Sequence, residues 1–123
     1  MKEYTEFVNR LFESREQSHV FHLQTDSHSE HMALQDYYEG ILDFIDQLVE
    51  VYQGQYDRIG NYQTIQARDY DKSDVIKYFH DLVEWIKTEK LNYIKEEDTH
   101  LLNTVDEVVS LVYKTLYKLR FLK

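Results

Sequence analysis

The chain has 123 residues, 42% of them hydrophobic and 30% charged, with a formal net charge of −9. That length suits one domain with a core of its own, so residues 1–123 are read as a single domain. The absence of Cys excludes a disulfide framework, a zinc knuckle and an iron–sulfur cluster. With no Pro and three Gly, the chain lacks the turn-formers of a many-stranded sandwich or barrel. Its apolar runs are a few residues long, against roughly 20 for a bilayer span. The polar start Met1-Lys2-Glu3-Tyr4-Thr5-Glu6 does not read as a secretory signal. The expectation is an all-α protein of the cytoplasm that makes no use of a membrane.

Four segments carry a helical period. The first runs from about Tyr4 to Leu23, with Tyr4, Phe7, Val8, Leu11, Phe12, His19 and His22 near one face. Ser27 followed by Glu30 fits a capping box, so a second helix should begin there. Its apolar side holds Leu34, Tyr38, Ile41, Leu42, Ile45, Leu48, Val49 and Tyr52, and Gly54 is a plausible stop. From Gly54 to Lys72 the period is lost. A connection of that length usually has a reason. It is long enough to run back along a neighbouring helix, which would leave helices two and three parallel, as in ferritin-like bundles. The alternatives are a surface loop or a short helix of its own.

Ser73-Asp74 should cap a third helix with Val75, Ile76, Phe79, Leu82, Val83 and Ile86 as its stripe. Asp98-Thr99 should start a fourth, whose stripe from Leu101 to Leu122 is broad enough to be buried on more than one side. The fold expected is a four-helix bundle, ferritin-like, with a long crossover between helices two and three.

Charge narrows the partners. The 23 acidic residues against 14 basic ones repel a phosphate backbone, so nucleic acid is not the expected partner. Lys114, Lys118, Arg120 and Lys123 gather at the end of the fourth helix, where they complement its dipole; a DNA-binding tail is the lesser reading.

Histidines and carboxylates carry the candidate chemistry. His19, His22, His28 and His31 straddle the junction of helices one and two, where paired helices can build a metal site. Imidazole suits iron and zinc, and carboxylates shift preference toward harder ions. On the second helix Asp36, Glu39, Asp43, Asp46 and Glu50 form one acidic stripe. Of these, Asp46 and Glu50, one turn apart, could share a cation. Two E-x-x-H runs, Glu16 to His19 and Glu97 to His100, offer a competing single-chain di-iron pattern. His80, Asp81 and Glu84 read as an ordinary wet face.

The runs His22-Leu23-Gln24-Thr25, His31-Met32-Ala33-Leu34, Tyr37-Tyr38 and Asp46-Gln47-Leu48-Val49-Glu50 resemble the Dps-type mini-ferritins. The resemblance implies ferrous iron oxidised at a site shared by two subunits. One subunit supplies a His from its first helix, then a His and an Asp from the start of its second. Its two-fold mate supplies an Asp and a Glu from further along the second. The family's counts from the second-helix His to those two carboxylates match His31 to Asp46, 15 residues, and His31 to Glu50, 19 residues. Two positions depart from the pattern. Gln35 stands where the family has its Asp, with Asp36 beside it. His22 precedes His31 by nine residues, whereas His19 meets the family's twelve. The wording from His22 to Tyr38 and the ending Leu116 to Leu122 are also similar to small uncharacterised proteins of tailed phages, which implies phage origin and the host cytoplasm.

Length along the helix then dictates assembly. His31 and Glu50 would lie about 28 Å apart on one helix, and a metal reaches its ligands over roughly 2 Å. One ion can therefore use both only across two copies with their second helices antiparallel, which predicts a homodimer or larger assembly. Two functions remain. The first is a Dps-resembling metal-binding protein, with iron, or zinc as the alternative, held by His22, His31, Asp46, Glu50, His19 and Asp36, and with ferroxidase activity implied. The second is a non-enzymatic acidic phage protein that binds a host or anti-phage-defence target.

Overall fold

A computed structural model describes the whole chain, Met1 to Lys123. It contains four helices and no strand: α1 (Tyr4–Gln24), α2 (His28–Gln55), α3 (Val75–Tyr93) and α4 (Thr99–Phe121). All four helices start within about a residue of where capping and periodicity put them. No helix is long and apolar enough to cross a membrane.

Short turns pair the helices. Three residues link α1 to α2, and Tyr4 at the start of α1 stacks on Tyr52 near the end of α2, so the two run antiparallel. Five residues link α3 to α4, whose Lys90–Asp106 and Lys87–Tyr113 contacts also run antiparallel. α2 lies against α4, through Asp36–Lys118 at one end and Gln55–His100 at the other. α1 completes the bundle against α3, through Phe21–Tyr78 and, a helix length away, Glu6–Tyr93. One core joins them, with Phe7, Leu11, Ile41, Leu48, Phe79 and Leu82 fully buried.

Residues 56–74 are neither helix nor strand, and they follow α1 closely. The Thr5 hydroxyl donates to the Gly60 carbonyl at 2.6 Å. Asn61 then turns the chain with φ 64°, a left-handed value that Asn tolerates. Tyr62 meets Phe12 edge-on. The Gln17 side chain bonds both ways with the Arg68 backbone, and Gln24 does the same with Asp69 and the Tyr70 N–H. The outer face of α1 is thus covered, which explains why α1 buries Gln17, whereas Ser14 is buried against Tyr37 of α2.

Several local expectations need correction. Gly54 does not stop α2, which runs on to Gln55. Asp74 and Asp98 stand at the caps of α3 and α4, but neither side chain caps its helix. Asp74 accepts from Arg68 Nε at 2.6 Å, and Asp98 accepts from Gln55 and Tyr56. Tyr37 rather than Tyr38 is the fully buried tyrosine of α2. Leu122 falls outside α4 and is exposed.

Candidate metal centre

The α1–α2 turn is built by small hydroxyl residues. Ser27 Oγ accepts the Glu30 N–H at 3.2 Å and so caps α2. The returning half of a capping box is absent. Glu30 instead accepts from the Thr25 hydroxyl at 2.7 Å, and Thr25 Oγ1 accepts the Ser27 N–H. That chain of bonds closes the turn tightly enough to bring the last turn of α1 against the first of α2.

Two histidines meet there. His22 and His31 stack with ring centroids 3.6 Å apart and planes 18° from parallel. Their bonds are reciprocal: His31 Nδ1 donates to the His22 carbonyl at 2.8 Å, and His22 Nδ1 donates to the His31 carbonyl at 2.7 Å. The first satisfies a carbonyl that the end of α1 leaves without a helical partner. With Nδ1 protonated in both rings, the neutral lone pair sits on Nε2 in both. His22 is 6% exposed and His31 half-buried. His19, a turn before His22, stacks on Tyr38 at 4.3 Å and lies 5.9 Å from His22 between centroids. His28 is exposed at 6.3 Å from His31.

The carboxylates lie elsewhere. Asp46 and Glu50 are exposed on the outer face of α2, further along the helix than one ion could bridge from His31. Asp36 is exposed and paired with Lys118 of α4 at 2.8 Å. Within one chain, no three His, Asp or Glu side chains converge as a metal requires. The competing di-iron pattern does not assemble either. His19 sits at the α1–α2 turn, His100 binds Gln55 at the other end of α2, and Glu97 is exposed outside any helix.

Tyr38 was not singled out by sequence as a partner of these rings, yet it stacks on His19 and meets His22 edge-on at 5.1 Å. Its position seven residues after His31, two turns along the same face, was the available signal.

No curated protein and no solved structure matches the chain. Residues 22–119, from the buried histidine of α1 to the last buried residue of α4, match a family of unknown function, DUF5856, and the chain belongs to that family.

Proposed function

We propose that the chain is a ferritin-like, Dps-resembling protein that binds iron, with zinc as the alternative, between two copies. The observation that carries this reading is the imidazole pair. Both Nδ1 atoms donate to backbone carbonyls, which holds the rings and leaves the lone pair of each Nε2 as a candidate metal ligand. Two nitrogens are half of a ligand set. Asp46 and Glu50, exposed and one turn apart, have the chemistry to supply the rest from a second copy. His19 is the nearest further imidazole. The contacts that carry residues 60–70 along α1 support the ferritin-like crossover, and ferrous iron would be the substrate oxidised at such a site.

The test combines mass and metal. Protein prepared without added metal is given Fe(II) under anaerobic conditions, then analysed for iron and for mass in solution. Iron near one per copy in a dimer or larger assembly is expected, with the iron lost in His31→Ala and in Glu50→Gln. A monomer under every condition would remove the shared site.

A second reading rests on α4. Tyr113, Tyr117 (54% exposed) and Phe121 (61% exposed) form a ridge on its outer side, with Lys114 and Arg120 beside it. Aromatic and arginine side chains are enriched where proteins bind proteins. A non-enzymatic phage protein gripping a host or anti-phage-defence target would use such a ridge. Its function would then fail in Tyr117→Ala and survive His31→Ala.

A further inference from the structure

The opposite end of the bundle, away from His22 and His31, holds a cavity of about 150 Å³. Tyr52 and Tyr56 of the α2 end line it, with Tyr93 at the end of α3, Ile94, Lys95 and Asp98 of the turn that follows, and Met1. The tyrosines form a connected wall. Tyr52 stacks on Tyr4 at 3.8 Å between centroids and lies 4.8 Å from Tyr56, tilted by 42°. An aromatic face carries negative potential and attracts a cation within about 6 Å. The chain's own ammonium groups already behave so: Lys95, which lines the cavity, has its Nζ 5.3 Å from the Tyr56 centroid, and Lys2 Nζ stands 5.8 Å from that of Tyr93.

Asp98 supplies the charge. It is 5% exposed and is the only carboxylate that the fold buries. Its oxygens accept from the Gln55 amide, at 2.9 Å, and from the Tyr56 hydroxyl. Those bonds hold it below the usual carboxylate range, and the same contact pushes the Tyr56 phenol up to about 12. Both donors are neutral and no cation pairs with it directly, while the charges of His100 and Lys95 act on it from further off. Asp98 also forgoes the helix-capping bond that its position would offer. Rings that favour a cation and a carboxylate with no direct ion pair border the same cavity.

We infer that the Tyr52–Tyr56–Tyr93 cavity is a binding site for an organic ammonium ion of the quaternary or methylated class, with Asp98 as its counter-charge. A trimethylammonium head suits it better than a metal ion or a primary amine. Its methyl groups would contact ring faces and Ile94, and its weak hydration lowers the cost of leaving water for a cavity walled by tyrosines. Lys95 occupies the rim as a resident competitor. Two sources share this chemistry, a free choline-like molecule and a trimethylated lysine side chain.

Calorimetric titration of the full chain with choline, with trimethyllysine and with 3,3-dimethylbutan-1-ol, the uncharged carbon analogue of choline, tests the inference. At least one ammonium ligand should bind saturably, and the neutral analogue about tenfold more weakly. The tighter of the two ammonium ligands identifies the source. Asp98→Asn and Tyr56→Leu should each weaken binding by about tenfold, Tyr56→Phe should retain it, and Lys95→Ala should tighten it. If Asp98→Asn fails to fold, the comparison of charged and neutral ligands on the wild type decides alone. No saturation with either ammonium ligand, or equal affinity for the neutral analogue, overturns the inference.

Discussion

Tyr37 is enclosed by α1 and α3, with its ring edge-on to Phe79 at 5.0 Å and its hydroxyl 2.7 Å from Ser14 Oγ. Ser14 donates its own proton to the Leu11 carbonyl, so Tyr37 is the donor of the pair. Removing that hydroxyl in Tyr37→Phe is expected to cost about 1 kcal/mol, because Ser14 keeps its other bond. Urea unfolding measures it; a loss several times larger would mean that the hydroxyl organises more than Ser14. Burial pushes the phenols of Tyr37, Tyr4 and Tyr78 above their ordinary value. The stability they contribute is complete below about pH 10, where the unfolded phenol is still protonated, and is lost as pH rises toward the folded values. The urea midpoint should therefore fall above about pH 10, with tyrosinate absorbance from these rings rising only on unfolding. Neighbouring Tyr37 and Tyr38 also show where sequence stops being informative. Both are aromatic with a polar tip, and a turn of 100° separates them, so periodicity alone cannot say which enters the core. The His19 ring decides it by taking Tyr38 as its stacking partner.

At the level of helices and their connections, two substitutions separate propensity from packing. Gly40 lies mid-helix in α2, where an added Cβ would sit 3.4 Å from Leu111 Cδ2 of α4, ordinary contact distance. Gly40→Ala is expected to stabilise by up to about 1 kcal/mol, from helix propensity plus that contact. A fall in thermal midpoint would show that α2 and α4 approach more closely there. Gln17, 1% exposed, holds the Arg68 backbone through two bonds. Gln17→Ala should cost about 2 kcal/mol and speed hydrogen exchange at the Arg68 amide, while amides of α4 keep their relative protection. The helices and the Ser27 cap were legible because they rest on spacing within a few residues. The bonds of Asp74, read as part of a cap, and of Asp98, read as the start of α4, were not. Each carboxylate has a better donor brought by distant chain, Arg68 in one case and Gln55 with Tyr56 in the other. Gln17 was read only as the spacer of an E-x-x-H run, since nothing local marks it as the grip on a segment 51 residues away.

Across the whole molecule, charge and aromatic surface are divided by helix. α2 presents Asp36, Glu39, Asp43, Asp46 and Glu50 on its outer side, and α4 presents Tyr113, Tyr117 and Phe121 with Lys114 and Arg120. The proximity of His22 and His31 was legible, because a three-residue turn forces it. Their mutual bonds to backbone carbonyls were not, because these depend on ring orientation rather than on spacing. The placement of Asp36 was lost for a similar reason: a lysine 82 residues later claims it.

The bridge laid along α1 also makes the protein divisible. A break within residues 62–66, all exposed and without a backbone bond to the rest of the chain, leaves two polypeptides, each a pair of consecutive antiparallel helices. The second carries Arg68 and Tyr70 as a free arm whose backbone matches Gln17 and Gln24 on the first. Fragments 1–63 and 64–123, produced apart, are expected to recombine into one cooperatively unfolding heterodimer whose melting temperature rises with concentration. In a first fragment with Gln17→Ala the arm has less to hold, and complementation should need about thirtyfold more of each half. If the halves ignore each other at every concentration, the arm contributes too little to join them.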